Sequence, residues 1–226
     1  MVTFFVSFYS PLRLNNQIEN TMKKHIINTG SILLLFLIST QIMAQQYRSA
    51  KEAQGLEVGA KAPLFAAMDQ DSNHFKLERA LEKGPVVLIF YRGHWCPVCN
   101  KHLGQVQDSL HAIYEKGASV VAISPEKVEL LNKTASKTKA AFTLLHDAGY
   151  QIADAYDVTF KPDSKSRLMY NTMLGANLKS AHDDDSQRLP IPATYIIGTD
   201  GKILWRHFDP DYKKRSTVQD IVKHLP

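Results

Sequence analysis

From Leu56 onward, short apolar runs alternate with stretches whose apolar residues recur at helical spacing, the pattern of an α/β domain. After Pro85 the run Val86-Val87-Leu88-Ile89-Phe90-Tyr91 is continuous and rich in β-branched residues. It predicts a strand buried on both faces, in the middle of the sheet. Leu103, Val106, Leu110 and Ile113 then lie on one stripe and predict a helix over 97–114, stopped by Gly117. The pattern continues with a strand over 119–124, a helix over 126–140, a strand over 142–145 and a short helix over 150–156. Two late strands, 194–197 and 203–207, flank Thr199-Asp200-Gly201-Lys202, and Asp-Gly between apolar runs is a strong hairpin signal. A helix over 216–224 follows. The segment 160–189 interrupts this alternation, and Leu168, Met169, Met173, Leu174 and Leu178 predict a helix within it that packs on the core rather than covering a site as a lid.

The first 44 residues follow a different pattern. Met22-Lys23-Lys24 is a short basic start, Ile32 to Ile38 is uninterruptedly apolar, and Ile42-Met43-Ala44 ends in a small residue suited to signal-peptidase cleavage. The expectation is a signal peptide over 1–44, with 1–21 an upstream extension, then a linker over 45–57 and a folded domain over 58–226. A retained membrane anchor is the rival reading, but the apolar core falls short of the roughly 20 residues a spanning helix needs.

The chain has 226 residues, 44% hydrophobic and 22% charged, which suits an ordinary globular domain. Its formal charge of +5 is spread along the chain without a basic block, so nucleic acid is set aside as a partner. Only two cysteines occur, Cys96 and Cys99, which excludes a multi-disulfide scaffold and a four-thiolate zinc module. Export would place them where a disulfide persists.

Those cysteines sit directly after the apolar strand, in Tyr91-Arg92-Gly93-His94-Trp95-Cys96-Pro97-Val98-Cys99. Pro97 suits the first helical position, so Cys96 falls at the N-cap. Unpaired amides and the positive end of the helix stabilise a thiolate there and lower its pKa. Cysteines three apart at a helix start share a face, with Cβ atoms about 5–6 Å apart, close enough to pair. The bland alternatives are a structural disulfide, which closes too short a loop to stabilise much, and a metal site using His102 and His94 as well, which lacks a second pair of thiols. His94 is a candidate proton shuttle, or a plain loop histidine, and Trp95 a shield over the sulfurs. The strand 86–91 holds no carboxylate to serve as a buried proton acceptor. Asp183-Asp184-Asp185 reads as a solvated loop rather than a cation site.

Three ordered motifs carry a family resemblance. Val58-Gly59-Ala60-Lys61-Ala62-Pro63-Leu64-Phe65 resembles the opening motif of the alkyl hydroperoxide reductase/thiol-specific antioxidant (peroxiredoxin-like) branch of the thioredoxin superfamily. Trp95-Cys96-Pro97-Val98-Cys99 resembles the thioredoxin active-site turn, and Ile191-Pro192-Ala193-Thr194 resembles the cis-proline segment that lies against it. The resemblance implies a thioredoxin-like α/β fold, a central mixed sheet flanked by helices, with Pro192 cis and beside the cysteines. Laid on the peroxiredoxin motif, the peroxide-reactive cysteine matches Cys99, the family's threonine position holds Cys96 and its proline position holds Arg92. The peroxide-binding arginine expected before Tyr195 is missing, leaving Arg92 or Arg188 to replace it.

The expectation is therefore an exported, periplasmic or secreted, thiol oxidoreductase that needs no cofactor and no metal. Cys96 and Cys99 are its catalytic pair and redox disulfide, with Trp95, Pro97, Pro192, Arg92 and His94 in support. Cys96 leads because it lies nearer the helix start, and Cys99, deeper in, is the more shielded. The alternatives are a thioredoxin-dependent peroxidase with Cys99 peroxidatic and Cys96 resolving, and a non-catalytic adaptor or metal-binding domain. Implied partners are a thiol or disulfide protein or a peroxide as substrate and a thioredoxin-like reductant. A membrane enters only if the signal segment stays uncleaved.

Overall fold

The structure is a computed structural model that describes residues 48–226. The expected signal peptide, its expected cleavage site and the first residues of the expected linker lie outside them. The chain opens with a hairpin, β1 (Ala66–Asp69) and β2 (His74–Lys76), and a short helix α1 (Leu77–Leu81). Then come the apolar strand β3 (Val86–Phe90), helices α2 (Pro97–Asp108) and α3 (Leu110–Tyr114), and strand β4 (Ser119–Ser124). Helix α4 (Val128–Thr138), strand β5 (Thr143–His146), helix α5 (Gln151–Ala155) and strand β6 (Thr159–Phe160) follow. Helices α6 (Ser164–Met173) and α7 (Leu178–Ala181) lead to β7 (Leu189–Pro190), the hairpin β8 (Ala193–Ile197) and β9 (Ile203–Phe208), and the closing helix α8 (Val218–His224).

Seven strands form one mixed sheet in the order β2-β1-β5-β4-β3-β8-β9, with β3-β4 and β4-β5 parallel and the other pairs antiparallel. Strand β3 is third from the β9 edge and wholly buried, which is why its residues are apolar without alternation. Its side chains still alternate between faces. Val87, Ile89 and Tyr91 join Leu103, Val106 and Ile113 of α2 and α3, whereas Val86, Leu88 and Phe90 join Leu77, Ile152 and Tyr156. The family's opening motif is stitched to the late hairpin, Gly59 donating its amide N–H to the Ile203 carbonyl and Ala62 to the Gly201 carbonyl.

Four expectations are corrected. The helix over 97–114 breaks at Ser109, whose φ of −116° leaves the helical region, and the chain restarts as α3 with Leu110 and Ile113 turned into the core. Residues 126 and 127 stay outside α4, because Glu126 is drawn toward the cysteine turn. Of the apolar residues in 160–189, Leu178 is buried and Leu174 packs on the core, but Leu168, Met169 and Met173 face solvent, and it is Tyr170 that α6 turns inward. Pro192 is trans, since the described residues contain no cis peptide. The chain on both sides of it is tied down in extended form: Ile191 donates to the Val158 carbonyl, β7 pairs with β6, and β8 pairs with β3 from Thr194 on. Continuing that register sets Pro192 across from Tyr91, at the end of β3 where the cysteine turn departs.

Candidate active site

The parallel strands β3 and β4 end side by side, so the loops that leave them meet. From β3 comes the cysteine turn and from β4 comes Glu126. Gly93 permits the approach, because a Cβ there would lie 2.5 Å from Glu126 Oε1 and 2.6 Å from Trp95 Nε1. The side chain of Glu126 is fully buried. Its Oε2 accepts the His94 amide N–H at 2.8 Å and its Oε1 meets His94 Nδ1 at 2.7 Å. That fixes the imidazole by its Nδ1 side and leaves Nε2 as the ring nitrogen that Glu126 does not engage. Glu126 is thus a buried carboxylate beside the cysteine turn, supplied from the neighbouring strand and not from β3.

Cys96 is the N-cap of α2 and Pro97 the first helical residue, as the spacing predicts. The two cysteines form a disulfide with Cα atoms 5.2 Å apart. Cys96 Sγ accepts the Cys99 amide N–H at 3.3 Å, a donor that the helix start leaves unpaired. Both residues are fully buried, so burial does not single out Cys99 as the more shielded.

Two guanidinium groups close on the sulfurs. Arg92, 2% exposed, donates from Nη2 to Cys96 Sγ at 3.5 Å and from Nη1 to the Tyr170 hydroxyl at 3.1 Å. Its charge lies over the rings of Tyr212, Tyr170 and Trp95, at 4.0, 5.0 and 5.2 Å from their centroids. Arg215 donates from Nη2 to Cys99 Sγ at 3.4 Å and from Nε to the Tyr212 carbonyl at 2.8 Å. Burial, and then the charge of Arg92, pull its pKa down to about 9. Burial likewise lowers Arg92, partly offset by Tyr170 and Tyr212. Among the described residues neither guanidinium forms an ion pair with a carboxylate. The disulfide is neutral, so in this state the two cations face sulfur, aromatic rings, the Tyr170 hydroxyl and the Tyr212 carbonyl, and no anionic group among the described residues.

Arg188 does not join them. It pairs with Asp154 at 2.9 Å and with Asp184 at 3.7 Å and lies over Tyr150. Asp183 meets His146 Nε2 at 2.9 Å, so two carboxylates of the acidic run have protein partners. His102, behind the cysteines, meets Ser216 Oγ at 3.2 Å, and Ser216 meets Thr194 Oγ1 at 2.9 Å. Burial first, then Arg215 and His207, hold His102 at about 4, so it is neutral near pH 7.

Arg215, Glu126 and the tyrosines around Arg92, Tyr170 and Tyr212, are site residues that sequence reading did not find. Arg215 follows Lys213 and Lys214 in what reads as a solvated basic stretch, and it reaches Cys99 across 116 residues of sequence. Glu126 reads as the start of a helix. The signal that finds it is topological, since loops leaving the same end of neighbouring parallel strands share one site.

A dithiol turn heading a helix, on a mixed sheet whose central strand delivers it, defines a thioredoxin-like thiol oxidoreductase. The comparisons narrow the class. Residues 58–206 match the profile of the AhpC/TSA family, and the chain belongs to that family. It is 24% identical over 207 residues to the thiol-disulfide oxidoreductase ResA of Bacillus cereus, covering 90% of this chain and 97% of that one. To the peroxiredoxin Bcp of Escherichia coli it is 26% identical over 167 residues, covering 74% and 93%. Among solved structures, the peroxidoxin BcpB of Mycobacterium tuberculosis superposes with a TM-score of 0.59 at 24% identity, covering 75% of this chain and 96% of that one. The chain is an oxidoreductase of a family that includes both thiol-disulfide exchangers and peroxidases.

Proposed function

We propose that this protein is an exported oxidoreductase that cycles Cys96 and Cys99 between dithiol and disulfide, with Cys96 as the attacking sulfur. The observation that carries the reading is a pair of guanidiniums, Arg92 buried and Arg215 half-buried, one on each sulfur, with no carboxylate paired to either among the described residues. A buried, uncompensated cation is costly, and a thiolate formed on reduction is the counter-charge the site lacks. Cys96 has two donors, the Cys99 amide and Arg92, where Cys99 has Arg215. The better stabilised thiolate is the larger reactive fraction near neutral pH.

In the exchange direction the Cys96 thiolate attacks a substrate disulfide and expels one substrate thiolate, and Cys99 then attacks Cys96 Sγ, releases the second and closes the disulfide. With a peroxide, Cys96 becomes a sulfenic acid and Cys99 expels water from it. His94, held by Glu126, is suited to deliver the proton to the leaving group. A thioredoxin-like reductant restores the dithiol. Arg215 at Cys99 favours a second reading in which Cys99 is the peroxide-reactive sulfur and Cys96 resolves. The basic and apolar N-terminal pattern supports export, and among the described residues no helix is long and apolar enough to cross a membrane.

The test is steady-state turnover with hydrogen peroxide and, separately, with a protein disulfide, each driven by a thioredoxin system. Disulfide turnover that disappears in both Cys96→Ser and Cys99→Ser supports the exchange reading. Turnover with peroxide alone replaces exchange with a peroxidase, with a sulfenic acid on Cys99 in Cys96→Ser selecting the second reading, and turnover with neither contradicts both.

A further inference from the structure

Both sulfurs lie out of contact with solvent, where a nearby charge is only weakly screened. The charged groups around them are Arg92, Arg215 and the Glu126–His94 pair beside the cysteine turn, while His102 of α2 is neutral near pH 7. The two guanidiniums share one neighbour. The ring of Tyr212 lies 4.0 Å from Arg92 Cζ, nearer than the rings of Tyr170 and Trp95, and the Tyr212 carbonyl accepts Arg215 Nε–H at 2.8 Å. Tyr212 is half-buried, in a segment pinned on both sides. Before it, Asp209 accepts the Asp211 amide N–H at 2.8 Å and pairs with Lys214 at 3.1 Å. After it, buried Ser216 meets His102 and Thr194, and Thr217 caps α8. Arg92 and Arg215 repel each other, and that repulsion contributes to the lowered pKa of Arg215. An aromatic face turned to one cation and a carbonyl turned to the other supply partial negative charge against it.

We propose that Tyr212 is a positioning residue for the thiol chemistry, its ring holding Arg92 on Cys96 and its carbonyl holding Arg215 on Cys99. The role rests on the thiol-exchange reading and adds the residue that sets the charge of its leading sulfur. Without the ring, Arg92 is free to swing away from Cys96, and the Cys96 thiolate forms only at higher pH. The carbonyl, and with it the hold on Arg215, survives a change of side chain. The two sulfurs therefore respond unequally to one substitution, which distinguishes positioning from a general loosening of the segment.

The test titrates the reduced protein by thiolate ultraviolet absorbance, Cys96 in a Cys99→Ser background and Cys99 in Cys96→Ser. Tyr212→Ala should raise the Cys96 midpoint by about one unit, a tenfold loss of thiolate at a pH below both values, and leave the thiolate fraction of Cys99 within about twofold. Tyr212→Phe keeps a ring over Arg92 and should restore most of the loss. In Arg92→Met the change Tyr212→Ala should have no further effect, because residues that act through one contact are not additive. Disulfide turnover of the two-cysteine Tyr212→Ala protein should fall about tenfold at neutral pH and recover as pH rises past the new midpoint. An unmoved Cys96 midpoint, equal shifts at both sulfurs, a Phe variant as impaired as Ala, or an undiminished effect in Arg92→Met overturns the proposal. The titrations need no substrate, so the two readings fail separately. Wild-type protein inert to disulfide and peroxide removes the exchange reading and leaves the Cys96 shift to decide the role of Tyr212, whereas an absent shift with turnover intact removes that role alone.

Discussion

At Arg92 the guanidinium is held among three aromatic rings, and the atom it faces at its Nη2 end is a sulfur. Replacing it with Met keeps the bulk and removes the charge. Arg92→Met should raise the Cys96 thiol pKa by about one unit or more, and each unit is a tenfold loss of thiolate at a pH below both values. The pH profile of iodoacetamide alkylation in the reduced protein measures this, and an unshifted profile contradicts the role given to Arg92. Most of this residue-scale chemistry was legible in the sequence, since Arg92, His94, Trp95, Cys96, Pro97 and Cys99 are one short stretch whose helix start fixes their order. Arg215 was not. Its neighbours Lys213, Lys214 and Ser216 give no local hint of burial, and only the return of the chain after β9 brings it to Cys99.

The elements carry the site by where they end. Strand β3 delivers the cysteine turn and β4 delivers Glu126, and Gly93 is the point at which the two loops touch. In Gly93→Ala the new methyl meets the buried carboxyl and the Trp95 ring nitrogen instead of open space. Such overpacking costs about 1–3 kcal/mol, and it should also loosen the hold of Glu126 on His94. Urea unfolding gives the first quantity. A native midpoint in Gly93→Ala would show that the loops do not meet as described. Strands β3, β4, β5, β8 and β9 were legible because their apolar runs stand out, whereas the short β1, β2, β6 and β7 were not read, and the helix break at Ser109 was hidden by an unbroken stripe from Leu103 to Ile113. Segment 160–189 was misread for a related reason. Its apolar residues have helical spacing, but the inward face of α6 is set by Tyr170, which Arg92 and Trp95 hold, and Leu168, Met169 and Met173 are turned outward. The resemblance implied a cis Pro192 beside the cysteines, whereas the peptide is trans and the strand register sets Pro192 across from Tyr91, at the end of β3.

For the whole molecule, the buried titratable groups predict a loss of stability in mild acid. His102 and His182 are both held at about 4 against an ordinary 6.5, mainly by burial. Their folded-state values are depressed, so the unfolded chain binds protons first as pH falls below about 6.5, and each histidine then favours unfolding. Asp147, raised by burial to about 6, acts in the opposite sense between pH 6 and its ordinary value of 3.8. Two losses against one gain leave a net fall, and urea midpoints should decrease steadily from pH 7 to pH 4.5. A flat or rising midpoint contradicts that account. The fold and family follow from motifs spread over the chain, whereas the order in which the sulfurs act depends on contacts that no motif records. That order is the central claim, and single-turnover reaction of the reduced single-cysteine variants with a disulfide and with peroxide, read by peptide mass spectrometry, tests it most directly. Cys99→Ser should trap a mixed disulfide or a sulfenic acid on Cys96, and Cys96→Ser should stay inert. A sulfenic acid on Cys99 in Cys96→Ser, with Cys99→Ser unreactive, would reverse the roles and make Cys99 the leading sulfur.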